Sequence, residues 1–341
     1  MKAITRRTFS VAAGAGLLSP LLPELRGAAR IPRRPFGKSG VEVPIVGLGG
    51  GGRFFEYAPN DEAGGELVRQ AIDHGIEYIE TASNYGPPGD TDRSERRIGL
   101  AMKTHRGRVF LETKIDARDY DGAMREMENS LKQFQTDHID FVLHHAFFRN
   151  EEVDKVLGPA GAEKAIRKMK DQKVIRFRGF SCHSPQLAME TLPRIEPDGV
   201  QFPINATRIP DFEVEVLPYC EGHGIAVNAM KTCGHGFFTR AALAPGFDSR
   251  GLADKHPEQH RFAPPIEVFE HEGLPTPTEF LRYALSLPLT TVIAGIESMA
   301  TLESVLRGVT GFKALPAADM KSVHDRSQPF AGTGYWIPRS G

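Results

Sequence analysis

Short apolar runs alternate along most of this chain with longer stretches whose apolar positions recur every three or four residues. The helical spacing covers 61–74, 93–104, 120–135, 158–173, 184–194, 211–223, 276–287 and 298–307. Between these lie strand-like runs at 45–48, 77–80, 109–113, 139–143, 176–181, 199–202, 225–230 and 291–294, the first of them part of a buried run from Val43 to Leu48. Eight strands alternating with eight helices predict an α/β fold, a single (β/α)8 barrel of the TIM type over residues 30–341. A doubly wound open sheet would place Gly-x-Gly-x-x-Gly after its first strand. Here Gly49-Gly50-Gly51-Gly52 runs into Arg53-Phe54-Phe55 instead, and the four glycines either let backbone approach something closely or make a flexible turn. One connection, 234–275, breaks the rhythm; it is rich in Gly, Pro and His, as a lid over the barrel mouth would be.

Chemistry on such a barrel belongs at the carboxyl ends of its strands. The apolar run 76–79 ends at Glu80 and is followed, five residues on, by Tyr85 in a Gly/Pro-rich loop; 109–113 ends at Lys114, and 139–143 at His144-His145. A tyrosine is a poor acid at neutral pH, but a nearby ammonium favours its anion. The expectation is therefore a proton-transfer device in which Lys114 makes Tyr85 acidic, Glu80 positions Lys114, and a histidine donates a hydrogen bond to a carbonyl oxygen. A rival reading takes Glu80, Glu112, His144, His145 and His183 as ligands of a divalent metal in an isomerase or hydrolase. Another is a barrel that binds a nucleotide without catalysis. Phe54, Phe55, Phe147, Phe148, the 234–275 connection and the tail around Trp336 would shape the substrate site.

Composition adds constraints. With 40% apolar and 25% charged residues the chain can bury a large core, and a net charge of −1 offers no electrostatic footprint for nucleic acid. Cys182, Cys220 and Cys233 are an odd set without a close pair, so neither a disulfide framework nor a cysteine metal site is expected. Residues 1–29 differ from the rest: Arg6-Arg7 precedes the apolar stretch 11–22, and Gly27-Ala28-Ala29 supplies small residues for cleavage. This resembles a twin-arginine export signal, implying passage through the Tat machinery and a periplasmic location. Pro20 and Pro23 interrupt the apolar stretch, so no stable membrane span is expected in the mature form. Removing 1–29 takes away four basic residues and one acidic, leaving 38 against 42, a net −4.

Four segments together carry a family resemblance. Gly75-Ile76-Glu77-Tyr78-Ile79-Glu80-Thr81-Ala82-Ser83-Asn84-Tyr85-Gly86 and Phe110-Leu111-Glu112-Thr113-Lys114 are similar to those of aldo-keto reductases. So are Thr136-Asp137-His138-Ile139-Asp140 leading to His145, and Lys173-Val174-Ile175-Arg176 leading to Gly179-Phe180-Ser181. The resemblance implies hydride transfer between a nicotinamide cofactor, NADP with NAD as the alternative, and a small carbonyl or alcohol substrate. It maps a catalytic tetrad onto Glu80, Tyr85, Lys114 and His145, the last preferred to His144 by its distance from Asp140. It implies cofactor contacts at Gly50 and Gly51, at Ser181 with Cys182 or His183, at Gln201, at Met230 against the nicotinamide, and from Lys231 to Gly236 along the pyrophosphate. Gly295, Glu297, Ser298 and Thr301 would meet the adenosine phosphate at a helix start. Two departures stand out: Glu80 replaces an aspartate, and Gly295 and Thr301 stand where NADP-preferring members place basic residues, with Glu297 adding a negative charge.

Overall fold

The computed structural model describes residues 31–52, 54, 59–234, 273–328 and 331. Eight parallel strands close into a barrel: β3 (Val46–Gly49), β4 (Tyr78–Glu80), β5 (Phe110–Ile115), β6 (Ile139–Phe147), β7 (Ile175–Cys182), β8 (Gly199–Pro203), β9 (Ala226–Met230) and β10 (Thr291–Gly295), with β10 pairing β3. Before them, β1 (Arg33–Pro35) and β2 (Glu42–Pro44) form an antiparallel pair. Helices cover the barrel: α1 (Asp61–Asp73), α2 (Arg93–His105), α3 (Tyr120–Phe134), α4 (Asn150–Leu157), α5 (Ala162–Asp171), α6 (Pro185–Ile195), α7 (Val216–His223), α8 (Pro277–Leu285), α9 (Met299–Val309) and α10 (Ala317–Ser327).

The predicted barrel is present, with differences at particular elements. The apolar run from Val43 to Leu48 is two strands, because Pro44 ends one ladder and Ile45 turns the chain into the next. The resulting hairpin packs Phe36 against Phe110, Phe141 and Phe177 at ring separations of 4.9, 5.1 and 4.8 Å, closing the end of the barrel where the strands begin. The predicted helix at 158–173 starts later, at Ala162, since Gly158-Pro159-Ala160-Gly161 is a tight turn; a Cβ on Gly161 would lie 1.9 Å from the Val156 carbonyl oxygen. The polar-looking stretch before it is the separate helix α4, and α10 lies beyond the last helix expected from spacing. Helix α7 begins five residues after the expected start at 211, past a turn in which the Asp211 side chain accepts from the Glu213 N–H at 2.9 Å. The stretch 1–29, most of the 234–275 connection including Gly236, and the tail around Trp336 lie outside the described residues. Among the described residues no helix is long and apolar enough to cross a membrane.

Strand alternation sorts the side chains. Leu111, Ile115, Val142 and Ile79 join the apolar layer between barrel and helices, while Tyr78, Phe110, Phe141 and Leu143 fill the barrel's interior. Continuing that period of two puts Glu80, Glu112, Lys114 and His145 on the interior side, above the aromatic layer.

Candidate active site

Register brings the charged residues together. Glu80 ends β4 opposite Glu112 of β5, and Lys114, two residues further, shares Glu112's face. Lys114 is 1% exposed and donates to Glu80 Oε1 and, at 2.8 Å, to the Thr81 carbonyl oxygen. The extra methylene of Glu80 therefore leaves its ion pair with Lys114 formed. Burial alone would depress the lysine's pKa; Glu80, Tyr85 and Glu112 together hold it above its ordinary value. Its Nζ lies 5.0 Å from the centre of the Tyr85 ring.

Tyr85 sits in the loop after β4, its backbone tied to Ala82 and to Ser94 of α2 at 3.1 and 3.0 Å. Gly86 is required there, because a Cβ would lie 1.9 Å from the Asp90 carbonyl oxygen. The expectation of an acidic phenol is overturned in sign. Desolvation outweighs the pull of Lys114, and Glu80 adds to it, so the Tyr85 hydroxyl is pushed up to about 12. It holds its proton throughout the neutral range.

Of the adjacent histidines, alternation selects His145. His144 points outward, fully buried, to Glu163 of α5 at 3.0 Å, a carboxylate that also pairs with Arg178 at 2.6 Å. The His145 ring meets Tyr85 edge-on at 5.7 Å, and its Nδ1 is 2.9 Å from Asp116 Oδ1. The register of β6 shifts between His144 and Phe147: Ala146 takes φ = +47° and its N–H donates to Ser181 Oγ at 2.8 Å. That bond leaves the Ser181 hydroxyl hydrogen free to donate elsewhere.

Beneath the cluster lies a network of which only Glu112 was anticipated, and that as a metal ligand. The Tyr78 hydroxyl donates to Glu112 Oε2 at 2.5 Å, and Asn228 Nδ2 reaches both Glu112 Oε2 and the Tyr78 oxygen at 2.8 and 2.7 Å. Burial pushes Glu112 up to about 8; Lys114 opposes the shift and Glu80 adds to it. The five side chains of the metal reading do not converge, since His144 faces away from the mouth; among the described residues no group of three or more His, Cys, Asp or Glu is placed to hold a metal ion.

The positions expected to hold a cofactor are distributed unevenly. Gln201 donates to Glu80 Oε1 at 3.2 Å, and its Oε1 is buried without a partner, as is Asn205 Nδ2 nearby. An unpartnered acceptor and an unpartnered donor at one strand end each cost about 1–3 kcal/mol unless a ligand bonds them, and together they match the two halves of a carboxamide. Such a pair fits the nicotinamide group. Cys182 is turned into the core, its Sγ donating to the Ser184 carbonyl oxygen at 3.4 Å, so its thiol is not at the mouth. His183 is, with its Nε2 2.7 Å from Lys231 Nζ. Burial and then repulsion from Lys114 lower Lys231 to about 7. Met230 is the half-buried last residue of β9. Gly50 packs on the strand end, its N–H donating to the Glu80 carbonyl at 2.7 Å, and a Cβ on Gly51 would stand 3.6 Å from the Tyr85 ring. Gly295 ends β10, Ser298 caps α9 by accepting from the Thr301 N–H at 3.2 Å, and the Thr301 hydroxyl donates to Glu297 Oε1 at 2.9 Å. Phe54 and Phe147 belong to the core rather than to a substrate wall, Phe148 is 69% exposed beside His183, and Phe55 lies outside the described residues.

The chain is similar to known proteins in sequence and in fold. An alignment over 204 positions, which covers 55% of this chain and 57% of the relative, is 30% identical to aldo-keto reductase YhdN of Bacillus subtilis. Among solved structures, aldo-keto reductase AKR11C1 from Bacillus halodurans in its holo form superposes with a TM-score of 0.68 over 87% of this chain and 96% of that one, at 20% identity. The thermostable aldo-keto reductase Tm1743, solved with the inhibitor epalrestat, gives 0.63 over 86% and 99%, at 23% identity. These likenesses establish the barrel, and the family match, which runs over residues 46–326, shows that the chain belongs to the aldo/keto reductase family.

Proposed function

We propose that this protein is an NAD(P)-dependent oxidoreductase that moves a hydride between nicotinamide and a small carbonyl or alcohol substrate, with Tyr85 as the general acid and base. The observation that carries the reading is the convergence of Tyr85, Lys114, Glu80 and His145 at the carboxyl ends of three neighbouring strands. Family membership supports it. A bound nicotinamide cofactor supplies or accepts the hydride; Ser181, Gln201 and Asn205 would hold its carboxamide, and Lys231 its phosphates.

In the reducing direction the Tyr85 hydroxyl, fully protonated at neutral pH, gives its proton to the substrate oxygen as negative charge develops there. The Lys114 ammonium interacts more strongly with the resulting phenolate than with the phenol, so its contribution is largest in the transition state. Glu80 and the Thr81 carbonyl hold that ammonium in place without reorganisation. In the oxidising direction the same phenolate takes the alcohol's proton, which a Tyr85 held near 12 favours only at alkaline pH.

The test is turnover of a carbonyl panel with NADPH and NADH, followed by loss of the reduced cofactor's absorbance. Tyr85→Phe is expected to lower kcat by about 10²-fold or more on every substrate that reacts. A variant as fast as the wild type, or a protein that binds the cofactor tightly and turns over nothing, overturns the assignment.

A further inference from the structure

Tyr85 opens a loop with little bonding of its own. Pro87 and Pro88 offer no N–H groups, and Gly86 and Gly89 no side chains. Within the segment the backbone bonds run from the Gly86 N–H to the Asn84 carbonyl at 3.0 Å and from the Asp90 N–H to the Pro87 carbonyl at 2.9 Å. Charged side chains from α1 and α2 do the rest. Arg96, in the first turn of α2, forks onto Asp90, with Nη1 on Oδ1 at 2.7 Å and Nη2 on Oδ2 at 3.1 Å. The same guanidinium donates to Asp61 Oδ2 of α1 at 2.7 Å and to Asp92 Oδ1 at 3.2 Å.

Each of the three carboxylates is held a second time. Asp90 accepts from Arg93 Nε at 2.7 Å, Asp61 from Arg97 Nε at 2.9 Å, and Asp92 from Gln133 Nε2 of α3 at 2.6 Å. A single ion pair at such half-exposed positions contributes little, whereas a bidentate fork inside a network is geometrically fixed. The start of α2 is also turned toward the loop. Asp92 occupies the N-cap position but makes no side-chain cap bond to the helix, and the Ser94 N–H goes to the Tyr85 carbonyl. The Ser94 hydroxyl donates to the Gly50 carbonyl at 2.7 Å and accepts from the Thr81 hydroxyl at 2.8 Å. Since Gly86 lies hard against the Asp90 backbone, a displacement of Asp90 is passed to the residue beside Tyr85.

Resting on the reading of Tyr85 as the proton donor, we propose that Arg96 is a positioning residue: with Asp61, Asp90 and Asp92 it clamps the 86–92 loop onto α1 and α2, and so holds the Tyr85 ring against Lys114 and His145. Its guanidinium bonds to these carboxylates and to none of Glu80, Tyr85, Lys114 or His145, so it acts through the loop.

The clamp and its catalytic consequence are read separately. Hydrogen–deuterium exchange followed by mass spectrometry needs no substrate. In Arg96→Ala the peptide covering 85–94 is expected to exchange about tenfold faster than in the wild type, with β5 and β8 unchanged. Asp90→Ala opens the same fork from the loop side and should give the same acceleration, which keeps the test available where Arg96→Ala does not fold. The double variant should be no faster than either single one. Exchange at the wild-type rate overturns the clamp. Turnover tests the positioning: on any carbonyl the wild type reduces, Arg96→Ala should lose about tenfold or more in kcat while KM for the cofactor stays within about twofold. Arg96→Lys should behave like Arg96→Ala, because an ammonium cannot fork onto Asp90 and still reach Asp61. Added guanidinium ion should restore part of the lost kcat in Arg96→Ala and leave the wild type unchanged. Fast exchange with undiminished kcat, or a loss that guanidinium does not relieve, overturns the positioning role. A wild type that reduces no carbonyl overturns the proposed function and the positioning role with it, while the clamp still stands or falls by the exchange.

Discussion

Replacing Glu112 by Gln should make the protein more stable, and increasingly so as pH rises. Glu112 and Glu80 face each other across one ladder, and the Lys114 ammonium beside them is bonded to Glu80. Glu112 has two donors on Oε2 and none on Oε1. Burial pushes its carboxyl from 4.5 up to about 8, so between those values the native protein holds a proton that the unfolded chain has released. Native protons in excess of unfolded ones mean that stability falls with rising pH. The loss begins near the unfolded pKa and is complete once pH has passed through the folded one. At 1.36 kcal/mol per unit the full span sets an upper bound of about 5 kcal/mol. A Gln amide has the shape of the protonated carboxyl and does not ionise. Urea unfolding followed by far-ultraviolet circular dichroism should therefore find Glu112→Gln within about 1 kcal/mol of wild type near pH 5 and several kcal/mol more stable near pH 9. A difference between the two proteins that does not change with pH would refute the reasoning. It would mean that Glu112 is ionised in the native barrel and that Lys114 is shared between two carboxylates.

Two further outcomes can be checked directly. The start of α9 presents Glu297 with Ser298 and Thr301 engaged in capping it, and no basic side chain stands between 295 and 301, so the 2′-phosphate of NADP would meet a carboxylate. Glu297→Arg is expected to raise the NADPH-over-NADH ratio of kcat/KM by about tenfold, and an unchanged ratio would place the adenosine end of the cofactor elsewhere. For the export signal proposed over residues 1–29, changing Arg6 and Arg7 together to Lys should hold the protein in the cytoplasm on fractionation of cells; unchanged location would rule out the twin-arginine route.

The barrel was legible because its strands are buried on both faces and read as short apolar runs whatever their neighbours do. The same alternation explains why His145 rather than His144 reaches the interior, and it held a signal that went unused: Phe110-x-Glu112-x-Lys114 has the period of a strand, so Glu112 had to share a face with Lys114. Asp116 gave no comparable sign. It lies in the loop after β5, 29 residues before His145, and the two meet where the register of β6 shifts, between His144 and Phe147. Tyr85 was misjudged for a different reason. A neighbouring cation is visible in a sequence, whereas the removal of water around a phenol depends on how the loop 86–90 folds back against α2, and here the second effect is the larger. The consequence reaches beyond one pKa. A phenol held protonated, a lysine held charged and a histidine bonded to Asp116 each depend on groups brought in from another strand or loop. The chemistry of this mouth is therefore fixed by closure of the barrel, and it should be lost whenever β4, β5 and β6 lose their common register.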